Sequence, residues 1–292
     1  MKKNFKLKIA IVSGKGGVGK SMISSAFSML FSEKFKVVAV DCDVDAPNLS
    51  IWLNEIKGWE KVKKISTSQK AIINYKKCKG CGLCAKNCPF FAIEMINKKP
   101  KINPFLCEGC GTCQIICPQK AIKLKSVKNG EIRIKKTKYG FPLVVGHLFP
   151  GETGSGKIVS EIRKEAEKFP FQIQILDSSP GTGCPVIASL RETDFAILVT
   201  EPTPSAFSDL KRILKLVKFF KLPFRIIINK ADLNKKISNK IKKKFKGKIL
   251  GEVSFDKNIF KAISNLKPIL ETNLKAKEEI KKIYQNLIKT IL

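Results

Sequence analysis

Eight cysteines in two runs carry the most specific chemistry in the 292-residue chain: Cys78-x2-Cys81-x2-Cys84-x3-Cys88-Pro89 and Cys107-x2-Cys110-x2-Cys113-x3-Cys117-Pro118. Three thiolates at this spacing wrap one corner of an iron–sulfur cubane, and the fourth cysteine of each run crosses to the other cluster. The pattern predicts two 4Fe-4S clusters, one on Cys78, Cys81, Cys84 and Cys117, the other on Cys107, Cys110, Cys113 and Cys88. A structural zinc needs a single set of four ligands, and a disulfide framework belongs to small secreted chains; two crossed runs fit neither. Gly80, Gly82, Gly109 and Gly111 leave room for the backbone to approach sulfide. The runs lie in an internal repeat, KCKGCGLCAKNCPFFAIE from Lys77 and LCEGCGTCQIICPQKAIK from Leu106, offset by 29 residues. Two copies predict a small pseudo-symmetric domain and not a solenoid.

A second chemistry stands near the start. Gly14-Lys15-Gly16-Gly17-Val18-Gly19-Lys20-Ser21 satisfies the phosphate-loop pattern G-x-x-x-x-G-K-S/T between an apolar run and a helical one. Its glycines let backbone N–H groups turn in on phosphate oxygens, and the helix N-terminus adds its dipole. Lys20 is then expected on the β- and γ-phosphates and the Ser21 hydroxyl on Mg2+.

With its extra Lys15, KGGVGKS resembles the deviant-Walker P-loop ATPases of the MinD, Mrp and nitrogenase iron protein superfamily, and the cysteine runs are similar to those of bacterial ferredoxins. The text DCDVDAPNLS resembles that superfamily's switch I, and Asp177-Ser178-Ser179-Pro180-Gly181-Thr182-Gly183 resembles its switch II. GCPVIASL follows as in relatives with an inserted ferredoxin domain. The resemblance implies partner-stimulated ATP hydrolysis and a homodimer formed on ATP binding, with Lys15 reaching across it. It also implies Asp43 orienting the attacking water or the Mg2+ shell, with Asp41 beside it and Asp45 as a weaker alternative, and Asp177 as the Walker B acid. Ser179 stands where the superfamily often has a second proline. Asn229-Lys230-Ala231-Asp232 spells the guanine-reading N-K-x-D of GTPases, whereas in MinD-like proteins the Asn after this strand contacts adenine; the deviant loop favours ATP, read by Asn229 and Asp232.

The chain around these residues reads as α/β. Apolar strands are expected at Lys8–Ser13, Lys36–Val40, Ile173–Leu176, Phe195–Thr200 and Phe224–Ile228, with helices at Lys20–Phe31 and Leu210–Phe219. Strands alternating with helices predict a mostly parallel sheet covered on both faces. The predicted organisation is a discontinuous P-loop ATPase domain, residues 1–69 and 126–292, with a two-cluster ferredoxin-like α+β domain inserted at 70–125. Gly151–Lys157 mimics a second phosphate loop but has Ile158 where the Mg2+ hydroxyl belongs, so it reads as a loop before a helix from Ile158 to Glu167. Cys42 reads as a small buried hydrophobe. Cys184 is a weaker candidate for a metal shared across a dimer, and His147, the single histidine, reads as structural. A C-terminal stripe of Ile280, Ile283, Tyr284, Leu287, Ile288 and Ile291 is amphipathic, packing on the sheet being favoured over membrane contact.

The net charge of +32 comes mostly from Lys; Lys-rich composition or heat adaptation is favoured over a nucleic-acid or membrane partner. The start of the chain reads as a first strand and not a secretory signal, and the cysteine usage predicts a reducing cytoplasm. Three tasks remain open: ATP-coupled electron transfer to a redox partner, delivery of clusters or metal to a client metalloenzyme, and redox-regulated binding. The first is favoured because a complete pair of cluster sites has no spare ligands.

Overall fold

A computed structural model describes residues 5–291. Residues 1–4 and 292, part of the start read as non-secretory and the ends of the expected ATPase domain, lie outside the described residues. The described residues divide into two compact units, residues 63–131 with 148–154 forming the smaller and the remainder the larger.

In chain order the first part runs β1 (Leu7–Ser13), α1 (Lys20–Ser32), β2 (Val37–Cys42), α2 (Leu49–Trp52) and β3 (Lys61–Ile65). Then come β4 (Ser68–Ile73), α3 (Leu83–Lys86), β5 (Ile93–Ile96), β6 (Lys99–Ile102), α4 (Thr112–Ile115) and β7 (Ile122–Val127). The chain continues with β8 (Gly130–Lys136), β9 (Pro142–Leu148), α5 (Ser155–Ala166), β10 (Ile173–Pro180), α6 (Cys184–Leu190), β11 (Phe195–Thr200) and α7 (Pro204–Phe219). It ends with β12 (Phe224–Asn229), α8 (Lys235–Lys244), β13 (Ile249–Val253), α9 (Asn258–Ser264) and α10 (Lys275–Ile291).

A nine-stranded sheet has the order β13-β12-β11-β1-β10-β2-β9-β8-β3. The strands from β13 to β9 all pair in parallel. Successive side chains on a strand face opposite ways, and here both faces are covered. Ile9, Ile11, Ile197 and Val199 join Phe27 and Phe31 of α1 in one apolar cluster. Ala10, Val12, Ala196 and Leu198 join Leu210, Ile213 and Val217 of α7 in the other. Burial on both sides explains why these strands are unbroken apolar runs instead of alternating ones. The C-terminal stripe is spent on the first cluster: Ile280, Ile283 and Leu287 are buried there, and the Tyr284 ring meets Phe31 edge-on at 4.8 Å. Among the described residues no helix is long and apolar enough to cross a membrane.

The smaller unit is built from antiparallel pairs. β4 pairs with β7 from Ser68 opposite Val127 to Ile73 opposite Ile122, and β5 pairs with β6. Asn97 and Lys98, both at positive φ, make the two-residue turn joining β5 to β6. α3 and α4 each follow a left-handed glycine, Gly82 and Gly111, inside the two cysteine runs. Cys84, Cys107 and Cys113 are themselves buried in this unit's core, beside Ala71, Ala92, Ile93 and Ile122.

Candidate functional site

Strand β1 ends at Ser13 and α1 begins at Lys20, so the six residues between them must turn the chain within one short loop. A Cβ on Gly19, at φ 91°, would lie 2.2 Å from Asn229 Nδ2, so no side chain fits there. That contact exists because Asn229, at the end of β12, donates from Nδ2 to the Val18 carbonyl at 2.8 Å. Lys230 adds a second clamp, donating from Nζ to the Gly17 carbonyl at 3.0 Å. Ser21 stands half-buried on the first turn of α1.

Below the loop lies a nest of acids. Parallel pairing sets Asp41 of β2 opposite Asp177 of β10. Lys20 Nζ and the Ser24 hydroxyl both donate to Asp177 Oδ1 at 2.8 Å, while Asp177 Oδ2 is buried with no hydrogen-bond partner among the described residues. Asp41 accepts from the backbone N–H of Asp43 and of Leu49 at 3.1 and 2.9 Å. Burial and the charge of Asp177 push the Asp41 carboxyl well above the usual carboxylate range. Burial also pushes Asp43 up, against the pull of Lys20. For Lys20 itself burial opposes the charge, but Asp177, Asp41 and Asp43 outweigh it and hold its pKa above the usual lysine value. The arrangement is a cation among carboxylates at the mouth of a phosphate loop, with one buried carboxylate oxygen left over. An orphaned hard oxygen suits Mg2+ or a water of its shell, so the residues fit Mg-nucleotide: Lys20 and the loop amides for phosphates, Ser21 and Asp177 for the ion.

Lys15 does not reach into this nest. Its Nζ donates to Glu201 Oε1 at 3.2 Å and to the Ser205 hydroxyl at 3.5 Å, while Lys230 holds Glu201 Oε2 at 2.8 Å. Burial opposes ionisation of Glu201, but Lys230 and Lys15 outweigh it and keep the carboxyl below its usual range. Glu201 was missed by sequence reasoning; an acid directly after the apolar run Phe195–Thr200 was the available signal. Asp232 is exposed and accepts from the Phe255 N–H at 2.7 Å. Ser179 donates to the Cys42 carbonyl at 3.1 Å.

The thiols gather in the smaller unit. Cys88, Cys107, Cys110 and Cys113 line one hollow, with Pro89, Gly109 and Gly111 in its wall. Burial and the neighbouring Cys107, Cys110 and Cys88 push the Cys113 thiol up to about 11. Cys84 is likewise pushed up by burial and by Cys78 and Cys81, and it shares the unit's apolar cluster with Cys117. Backbone N–H groups reach two sulfurs in matching fashion, Ala92 to Cys88 and Ala121 to Cys117, each at 3.3 Å. A Cβ on Gly80 or Gly109 would lie 2.1 Å from the carbonyl oxygen of Lys98 or Gln69 respectively. Among the described residues no three His, Cys, Asp or Glu side chains converge as they would on a single metal ion.

The remaining candidates sit elsewhere. The Gly151–Gly154 loop is tied down by Glu152 to Lys70 at 3.0 Å and by Asn129 to the Thr153 carbonyl at 2.7 Å. Its helix begins at Ser155, three residues earlier than expected. Cys42 is fully buried, its thiol pushed up to about 12 by that burial, and Cys184 is exposed at the start of α6. His147 ends up on β9, a strand that sequence reasoning did not assign.

The pattern of the CobQ/CobB/MinD/ParA nucleotide binding domain matches residues 9–269. An uncharacterized protein of Methanocaldococcus jannaschii is 40% identical over 281 residues, 96% of this chain and 96% of its own. An uncharacterized ATP-binding protein of the same organism is 27% identical over 291 residues, 97% of this chain and 98% of its own. Among solved structures, the septum site-determining protein MinD complexed with Mg-ADP from Pyrococcus horikoshii superposes with a TM-score of 0.62 at 17% identity, covering 98% of this chain and 97% of its own. The MinC:MinD cell division protein complex of Aquifex aeolicus gives 0.60 at 18% identity, covering 97% and 96%. At such identities these structures speak for the fold, an α/β fold with a mostly parallel sheet.

Proposed function

Because the chain belongs to the CobQ/CobB/MinD/ParA family of nucleotide-binding domains, we propose that this ATP-binding P-loop ATPase carries two 4Fe-4S clusters in an inserted ferredoxin-like domain and couples its nucleotide state to electron transfer through them. One observation carries the reading. The hollow in the smaller unit is lined by Cys107, Cys110 and Cys113 of one run and by Cys88 of the other, the crossed set that two-cluster ligation requires. Thiols shared between two multi-atom clusters would not need to converge as the ligands of a single ion do.

The donor chemistry fits as well. Eight soft thiols are free of disulfides, and glycines sit where a side chain would collide with the backbone. Bound clusters would supply one-electron redox chemistry. The chain's own part is to hold them with Cys78, Cys81, Cys84 and Cys117 and with Cys107, Cys110, Cys113 and Cys88. The amides of Ala92 and Ala121, pointed at Cys88 and Cys117, would stabilise negative charge on those sulfurs and raise the potential of a bound cluster.

In the nucleotide unit, Lys20, Ser21 and Asp177 bind Mg-ATP, Asp43 orients the water, and Asn229 and Asp232 take the base after letting go of their present partners. ATP brings two copies together and draws Lys15 from Glu201 across to the partner's phosphates. Free thiols favour a reducing cytoplasm, where a redox partner would take or give the electrons.

The test begins with anaerobic purification of the full chain and assay of iron, acid-labile sulfide and ATP turnover. Iron and sulfide for two four-iron clusters, with a cluster potential that shifts when MgATP is added, support the proposal. Absence of iron from protein made under anaerobic, iron-replete conditions removes the cluster reading. Full cluster content with a potential indifferent to nucleotide removes the coupling.

A further inference from the structure

The two ends of the thiol unit are chemically opposite, although the repeat makes them equivalent in position. Around the first set, Cys78, Cys81, Cys84 and Cys117, the chain places Lys76, Lys77, Lys79, Lys86 and Lys120, all exposed and none ion-paired among the described residues. The same offset of 29 residues maps Lys76 to Phe105, Lys77 to Leu106, Lys79 to Glu108 and Lys86 to Ile115; run backwards, it maps Lys120 to Phe91. Those counterparts flank the second set, Cys107, Cys110, Cys113 and Cys88, along the chain, and they are bare: Phe91 is 87% exposed and Ile115 84%. A Lys-rich composition spread evenly would decorate both ends alike. Five substitutions in one direction, across a repeat that keeps its cysteines and glycines, are a difference between the ends and not a bias of the whole.

Resting on the two-cluster reading above, we propose that the lysine end, at Cys78, Cys81, Cys84 and Cys117, is the docking face for an acidic redox protein. Electrons then enter or leave through the first cluster, and the apolar end serves a different contact. Charge complementarity selects such a partner. Clustered unpaired ammonium groups around a redox centre steer an acidic partner to it and favour the orientation that brings the two centres close. Such steering acts on the association rate and is screened within a Debye length of about 8–10 Å at physiological ionic strength.

The experiment uses anaerobically purified full-length protein of measured iron content, with an acidic flavodoxin as the probe. Association rates are followed from low to high salt. The expected result is fast association at low salt, slowed about 10- to 100-fold by the triple change Lys77→Glu, Lys79→Glu and Lys86→Glu, with iron content unchanged. Lys120→Glu alone gives a smaller loss of the same kind. The paired change Phe91→Ser and Ile115→Ser, at the other end, leaves the rate alone. Three outcomes overturn the proposal: a rate indifferent to salt, an equal loss when Lys236, Lys240 and Lys243 of α8 are reversed instead, or duplex DNA bound more tightly than flavodoxin through the same lysines. Iron content is read separately from binding, so a protein without clusters sinks the cluster reading while the lysine dependence still reports on the docking face.

Discussion

Replacing Lys20 by Met keeps most of the side chain's volume and removes its charge from the acid nest. Lys20 is 7% exposed and its partner Asp177 is fully buried, so the pair belongs to the buried class. Removing one member of a buried pair leaves an uncompensated charge and costs about 3–5 kcal/mol. For a chain of this size each kcal/mol moves the melting temperature by about 2–4 °C, so Lys20→Met should melt roughly 6–20 °C lower at neutral pH without nucleotide. The pH dependence follows from the directions of the shifts. The Lys20 pKa is raised, so its contribution is fully present below its ordinary 10.5 and is lost as pH climbs through the folded value. Asp41 and Asp43 are also raised, so their contributions are present below the ordinary 3.8 and are lost as pH rises through their folded values. At neutral pH these acids therefore oppose folding, and Lys20 offsets them. Without Lys20 they bind protons more readily, so the deficit of the variant should shrink between about pH 8 and about pH 5. Differential scanning calorimetry of the nucleotide-free protein at both pH values measures this. A deficit under about 2 °C, or one equal at both pH values, would show that Lys20 does not hold the nest together.

Other perturbations test other contacts. Glu201→Gln releases Lys15 and Lys230 from a partly exposed pair; stability should change by no more than about 1 kcal/mol, while ATP-driven dimerisation, followed by light scattering, should need less ATP. Cys88→Ser and Cys113→Ser lie in different runs but line the same hollow; each should lose about half of the iron, and electron paramagnetic resonance should show the same remaining signal in both. Gly251→Ala places a Cβ 2.6 Å from Ile283 Cγ1 of α10, which should cost about 1–3 kcal/mol by overpacking, read as a lower denaturation midpoint. Leu287→Ala empties a fully buried position beneath α10 and should cost about 2–5 kcal/mol by the same measure.

Much of the architecture is written locally in the chain. Phe195–Thr200 is a run of six apolar or β-branched residues and forms β11 with those bounds. The spacing of glycines and lysines in Gly14–Lys20 marks a phosphate loop by itself, because Gly17 and Gly19 take the positive φ that the turn requires. Helix and strand periods, turn glycines and thiol spacing are all short-range properties, and so could be read before any fold was known. The two misses have separate causes, one tertiary and one local. β9 was overlooked because Pro142–Leu148 mixes a proline, a glycine and a histidine into its apolar residues; it becomes a strand by lying beside β2. α7 begins at Pro204, six residues before the expected start, where Thr203 caps it by accepting from the Ala206 N–H.

The site divides the same way. Spacing along the chain marks the candidates for chemistry: the thiol runs, Lys20, Ser21 and the acids at strand ends. Which of them meet is set by the fold. Asp177 lies 157 residues from Lys20 and Glu201 lies 186 from Lys15, yet each pair shares a hydrogen bond. Burial raises the pKa of Asp41, and parallel pairing of β10 with β2, which sets Asp177 beside it, raises it further. Electrostatic coupling depends on distance through space and on removal from water, and neither quantity is a property of a local stretch of chain.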